Sequence, residues 1–335
     1  MMKRFKNTSP LIHKFVIPAI ALIVLALLVQ RMPTMYQHVM ISFCVGIILG
    51  QSWNLSGGYG GLFSFGHAAF FGTGAYISSL LFVKIGINPW IGMLVGGAAA
   101  ILLAVFIGYI FLRLKGIYFA IATLGFAEVL RVSARNLKNV TGGEEGVILS
   151  KIPSFHIFNI EILNFSDKMA FFYIALLIAL VLFIITHFIT NSKMGYYLMT
   201  NREDEEVAES LGIDTLTCKI FALSVSALFT AIAGALYSSY MGMVAPEPVY
   251  GHEISLECIL IVIMGGIGTL WGPVLGALIY ILLTEIITGF FGEFHLLIHG
   301  VLLIIFIMFL PNGAIGVISR LFRSVKMKEG KNVAL

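Results

Sequence analysis

The side chains able to do chemistry in this 335-residue chain are few and widely separated. His67 stands alone between Asn54 and Leu81, NLSGGYGGLFSFGHAAFFGTGAYISSLL, a stretch without Asp, Glu, Lys or Arg. Its imidazole can titrate near neutral pH or bond a substrate; the plainer alternative is a hydrogen bond to neighbouring backbone. His295 and His299 stand at i, i+4, a spacing that can hold a metal. With only Glu293 beside them and no Cys nearby, they read as an interface pair instead. No G-x-x-x-x-G-K-S/T occurs, so no nucleotide is bound through a P-loop. The apolar segments hold no Ser-His-Asp, paired-carboxylate or metal constellation, which argues against an enzyme. They also lack the ladder of buried acids expected of an ion-coupled carrier. Energy for any transport therefore comes from another subunit, and the chain itself needs no cofactor.

The elements that must position these residues are set by composition. At 59% hydrophobic and 11% charged, the chain lies far from soluble domains, in which about a quarter of residues are charged. Uncharged runs at 15–30, 32–83, 85–112, 169–192, 220–246, 258–284 and 294–319 match or exceed the roughly 17–25 residues of one membrane crossing. The expected fold is a single all-α polytopic membrane domain over 1–335, with crossings near 16–31, 35–53, 62–83, 90–112, 116–135, 169–190 and 218–241. The hydrophobic region 254–311 divides at its glycines into three more, for about ten in total. Cys44, Cys218 and Cys258 all lie in apolar segments without ligand spacing, which argues against a disulfide framework. Lys and Arg crowd both ends, so the tails 1–14 and 320–335 are placed in the cytoplasm, with Arg113, Lys115 and the hydrophilic segment 193–217. The amino-terminal run lacks a cleavage site and reads as an uncleaved first span. Arg131, Arg135 and Lys138 fall outside in this scheme, against the positive-inside bias. Glu128, three residues before Arg131, offers a partner on the same helix face.

Glycines organise the rest. Gly57, Gly58, Gly60, Gly61, Gly66, Gly72 and Gly74 would each cost an ordinary helix roughly 1 kcal/mol relative to Ala, so a broken or closely packed membrane helix beside a pathway is expected. Gly57-Gly58-Tyr59-Gly60-Gly61-Leu62 reads against Gly265-Gly266-Ile267-Gly268-Thr269-Leu270 as G-G-x-G-x-L. Paired glycine interruptions point to a pathway built from internal, inverted repeats; close packing of small-residue faces is the alternative. The turn Thr141-Gly142-Gly143-Glu144-Glu145-Gly146 opens the one sizeable outer connection, 139–168, and its glycines favour a defined turn. Inside, 205–211 has acids in its first turn, where the helix dipole favours them, and Gly212 as C-cap. It is either a solvated loop helix or a docking helix whose Val207, Ala208, Leu211 and Ile213 fill a partner's groove.

LSGGYGGLFSFGHAAFFGTGAY at 55–76, GIYFAIATLGFAEVLR at 116–131, TGGEEGV at 141–147, EEVAESLGI at 205–213 with AIAGALY at 231–237, and GGIGTLWGPVLGAL at 265–278 carry a resemblance spanning nearly the whole chain. The chain resembles the permease subunits of ATP-binding-cassette importers for branched-chain amino acids, the second, longer permease more than the first. The resemblance implies a type II importer-like permease in a bacterial plasma (inner) membrane, working with two ATP-binding-cassette subunits, a second homologous permease and an extracytoplasmic amino acid-binding protein. The family's docking loop, E-A-A-x-x-x-G, is matched by Glu206-Val207-Ala208-x-x-x-Gly212, with Val207 replacing the first Ala and no hydrophobic-Pro ending after Gly212. Coupling residues are then Glu205, Glu206, Val207, Ala208, Leu211 and Gly212. Pathway or hinge residues are Gly57, Gly58, Gly60, Gly61, Ser64, Gly66, His67, Thr123, Gly125, Glu128, Gly265, Gly266 and Gly268, and an outer docking loop has Thr141, Gly142, Gly143 and Gly146. Related urea or short-amide permeases and, more remotely, an ion-coupled amino acid carrier are the competing readings.

Overall fold

A computed structural model describes residues 33–149, 155–157, 160–163, 168–291, 298, 300, 301, 304, 308 and 313–316. The first expected crossing, both tails, and His295 and His299 lie outside the described residues. Among those described, eight helical segments are long and apolar enough to span a bilayer.

The chain is an α-helical membrane protein whose helices begin and end where local chemistry dictates. Helix α1 (Thr34–Trp53) runs into a π-helical turn, Asn54–Tyr59. The chain is then irregular to residue 66, and α2 (His67–Ile85) begins five residues later than the apolar run suggested. Asn88 caps α3 (Pro89–Phe111), its side chain accepting from the Trp90 N–H, with Pro89 at the first helical position, where its missing N–H costs nothing. Helix α4 (Ile117–Asn136) returns to the end of the bundle that carries the 142–146 turn, termed the outer end after the expected topology. Helix α5 (Lys168–Thr190) descends to two short helices, α6 (Lys193–Glu203) and α7 (Glu205–Ser210), at the inner end. Asp214 starts α8 (Thr215–Met241) by accepting from Thr217 N–H. The Thr217 hydroxyl also donates to its carboxylate at 2.5 Å, which holds the carboxyl below the usual range. Helices α9 (Pro246–Tyr250) and α10 (His252–Gly265) together make one crossing, and α11 (Gly272–Phe291) the next.

Small residues let the central helices touch. A Cβ on Gly74 would stand 2.0 Å from the Ala231 carbonyl oxygen, and one on Gly234 would stand 2.0 Å from that of Phe71, so α2 and α8 meet backbone to backbone. Without a hydrophobic drive between helices in lipid, such close van der Waals packing is what holds them. Cys44, Cys218 and Cys258 are buried and unbonded to one another, as expected.

Short strands supplement the helices at the outer end. Strand β1 (Val147–Ile148) pairs antiparallel with Met243–Val244, the last strand, β4, while β2 (Phe155–Ile157) pairs with β3 (Ile160–Leu163).

Candidate functional site

The two glycine segments meet at the inner end. Gly268 N–H donates to Asn54 Oδ1 at 2.8 Å, and Asn54 Nδ2 donates to the Thr269 carbonyl at 2.9 Å. One amide thus satisfies two backbone groups left free where α10 has ended and α11 has not begun. Arg202, in the last turn of α6, donates from Nη1 to the Gly58 carbonyl at 2.6 Å. Its side chain lies across Gly61 and Gly268, whose φ values of 71° and 70° suit glycine. A Cβ on Gly58 would stand 2.0 Å from Asn54 Oδ1 and 2.8 Å from Gly268 N, so only glycine admits this contact. Gly265 is pressed against the Gly272 carbonyl, and Gly266 adopts φ 132°. The internal match therefore marks a physical joint.

Beyond the joint the chain from 60 to 66 is non-helical inside the bundle, which a membrane allows only where protein satisfies the backbone. Trp53 Nε1 donates to the Ser64 carbonyl at 2.9 Å, Thr123 Oγ1 accepts from Phe65 N–H at 3.1 Å, and Ser255 Oγ donates to the Phe65 carbonyl at 2.6 Å. Ser64 Oγ accepts from Gly66 N–H at 3.0 Å. Gly57 sits under the Trp53 ring, and Gly60 against the Ser56 carbonyl. Thr123 is therefore a clamp on this loop. Its neighbour Gly125 is exposed on α4 with no packed partner, away from the joint.

His67 is fully buried, its Nε2 2.7 Å from Ser226 Oγ on α8, among Trp53 and Phe70. The plainer reading of this residue holds in kind, although its partner is a hydroxyl and not backbone. Its imidazole is enclosed by protein on all sides.

The inner helices are anchored from two sides. Asp204 Oδ1 accepts from the N–H groups of Glu206 and Val207 and so caps α7. Its far end is closed by Gly212 at φ 79°, with Gly212 N–H on the Glu209 carbonyl and Ile213 N–H on that of Ala208, a Schellman arrangement. Glu205 Oε1 accepts from Lys219 Nζ at 2.6 Å, tying α7 to α8. Val207 (50% exposed) and Leu211 (69%) face outward, whereas Ala208 is wholly buried. The expectation that Ala208 and Ile213 fill a partner's groove is therefore corrected: Ala208 is enclosed, and Ile213 packs against Leu198, Cys218 and Ala222. Glu206 stays exposed, 3.8 Å from Lys115.

At the outer end two of the three basic residues that offended the charge rule, Arg131 and Arg135, have ion-pair partners. Arg131 binds Glu128 at 2.6 Å and Glu247 at 2.5 Å, and Arg135 binds Glu144. This guanidinium holds the Glu144 carboxyl below its usual range. Glu128 is thus a surface ion-pair partner of Arg131. The turn beside them is fixed: Thr141 Oγ1 lies 2.6 Å from the Ala134 carbonyl, Gly142, Gly143 and Gly146 all have positive φ, and Gly146 abuts the Val244 carbonyl. A cleft of about 640 Å³ opens there between Arg135, Lys138, Glu144 and Glu145.

Sequence reasoning passed over Asn54, Arg202 and Ser255, whose partners lie far away in the chain, and Glu257 and Glu285, two acids inside apolar helices α10 and α11. Both acids are half-buried within the spans, and the expectation of no buried acid ladder did not weigh them.

A multi-span bundle broken at two touching glycine segments, with the inner helix α6 bonded to that break through Arg202, defines a membrane transport domain. The chain belongs to the family of branched-chain amino acid transport system permease components, whose model matches residues 35–308. It is 30% identical to the high-affinity branched-chain amino acid transport system permease protein LivM of Escherichia coli (strain K12), over 90% of this chain and 77% of that one. A probable LivM of Methanocaldococcus jannaschii is 26% identical over 73% of this chain and 79% of its own length. LivH of Salmonella typhimurium is 24% identical over 81% and 93% respectively. The resemblance is to the LivM type more than to LivH, as the sequence implied. No solved structure matches the chain.

Proposed function

We propose that this chain is one of two permeases of an ATP-driven importer for leucine, isoleucine and valine. It forms half of the translocation pathway in the plasma membrane, with two ATP-binding-cassette subunits at its inner end, and it performs no chemistry of its own. The inner end faces the cytoplasm, together with both tails, since Arg113, Lys115, Lys193, Arg202 and Lys219 gather there. An extracytoplasmic binding protein docks at the outer turn, Thr141 to Gly146.

The observation that carries the reading is the Arg202 bond to Gly58. Val207 and Leu211, exposed on α7, and Glu206 and Gly212 beside them, enter a cleft of the ATPase. Closure of the paired ATPases pushes α7, and Arg202 on the adjoining helix delivers the displacement to both glycine segments at once. Glycines there let the joint move without steric cost. ATP and the loaded binding protein must each favour one state of the joint, since a ligand shifts an equilibrium only by its differential affinity.

The test is reconstitution in proteoliposomes. The full complex, with binding protein outside and ATP within reach of the ATPases, takes up leucine, and the uptake stops without ATP hydrolysis. Leucine accumulation by this chain alone on a proton or sodium pulse would sink the proposal.

A further inference from the structure

A cavity of about 230 Å³ opens in the outer half of the bundle, between α1, α8, α10 and α11. Its polar lining is Glu257 of α10, Thr284 and Glu285 of α11, His38 and Ser42 of α1, and the tyrosines Tyr237 and Tyr240 of α8 and Tyr280 of α11. Its apolar lining comes from Ile41, Val45 and Leu49 of α1, Phe71 of α2, Leu236 of α8 and Ile281 of α11. No Lys or Arg lines it. His38 and Tyr240 satisfy each other, Nδ1 lying 2.8 Å from the hydroxyl with the rings stacked. No salt bridge reaches Glu257 or Glu285 among the described residues.

Ionisable side chains inside a bilayer are costly, and they mark substrate or ion paths. The occupant is constrained from three directions. Two carboxylates without a basic neighbour favour a cation. The apolar residues that share the lining suit an attached hydrocarbon group, which a hydrated metal ion would not use. The volume is below the roughly 300–1,000 Å³ of pockets for drug-sized ligands, so the molecule is small. An α-amino acid with an aliphatic side chain meets all three: ammonium on the carboxylates, side chain on the apolar lining. Its own carboxylate finds no counter-charge and stays toward the open side, so binding is weak, as transit requires.

Resting on the reading of the chain as an importer permease, we propose that this cavity is a transit site for the amino acid, with Glu257 as the counter-charge for its ammonium. The placement links it to the joint. Gly265 lies eight residues beyond Glu257 on α10, about 12 Å at 1.5 Å per residue, so a shift of the joint carries the carboxylate with it.

Leucine uptake and binding-protein-stimulated ATPase activity are measured with the full transporter in proteoliposomes. In Glu257→Gln, uptake falls at least tenfold while the ATPase activity stays within twofold of wild type, and Glu257→Asp, which keeps the charge, retains more uptake than Glu257→Gln. A smaller loss in Glu257→Gln, or loss of uptake together with ATPase activity, overturns the proposal. A second measurement needs no variant: 3-methylbutylamine, which has the ammonium and the branched chain, raises the Tm of the wild-type complex, and 4-methylpentanoate, which has only the carboxylate, does not. Equal shifts, or none, overturn it as well. If the wild-type complex itself shows no ATP-dependent uptake, the importer reading fails; if it transports and Glu257→Gln matches it, only the transit site fails.

Discussion

The inner joint and the outer end solve opposite problems with different materials. At the joint the backbone itself is in contact: Gly58, Gly61 and Gly268 have no side chains, and Asn54 and Arg202 bond carbonyl and N–H groups across more than 140 residues of sequence. At the outer end exposed side chains, in the pairs Arg131–Glu247 and Arg135–Glu144, stand beside the short β1–β4 ladder, around an open cleft. Backbone contacts tolerate almost no substitution, because any Cβ intrudes. Exposed ion pairs are weak, screened by salt and easily exchanged. The difference teaches where motion is transmitted and where a partner is merely received.

Gly58→Val breaks the comparison most severely. Its side chain collides with Asn54 and Gly268, and overpacking of this kind costs about 1–3 kcal/mol, so ATP-driven uptake is abolished and the Tm of the purified complex drops. Next, Asn54→Leu leaves the Gly268 N–H and the Thr269 carbonyl unpaired, a loss of about 1–3 kcal/mol visible in the same melting experiment. Arg202→Ala sharpens the contrast: Arg202 is largely exposed, so stability changes by about 1 kcal/mol or less, yet uptake per ATP hydrolysed falls several-fold. An unchanged ratio would show that the joint is driven from elsewhere. Gly212→Val, for which nothing crowds the new side chain, strains the backbone by about 1–2 kcal/mol. With Glu206→Lys, it uncouples hydrolysis from uptake in a folded, inserted permease. The smallest effect belongs to the outer end. Glu144→Gln leaves the Tm unchanged at pH 7. Since Arg135 depresses the Glu144 carboxyl in the folded chain, the wild-type pair persists above the ordinary carboxylate range and is lost only as pH falls through the lowered value; a pH series of melts on both proteins checks this.

Much of the helical layout was legible because uncharged length is a local property. The runs at 85–112, 169–192 and 220–246 became α3, α5 and most of α8. Glycine content likewise announced a break near 57–66. What holds the break was hidden, since Asn54, Thr123, Arg202 and Ser255 act on backbone groups whose partners lie far off in sequence. Periodicity reports a face and not its neighbour. Glu257 and Glu285 were overlooked for a related reason: both lie in the hydrophobic region 254–311, where they bracket an uncharged run, and their partners cannot be read from the run itself. Because α10 begins at His252 and α11 continues to Phe291, both fall within helices. Ala208 illustrates the converse, an apolar residue on a short amphipathic helix whose inward face cannot be told from its docking face by composition.

The contact of Gly58 with Asn54 and Gly268 also has a consequence for inheritance. Each of the three occupies space that the other two must leave empty, so none can drift alone. A lineage that enlarges the residue at 58 must shorten the one at 54 or displace the turn at 268 in the same step. Relatives of this chain should therefore vary at these positions jointly or not at all, while Glu144 and Arg135 wander freely.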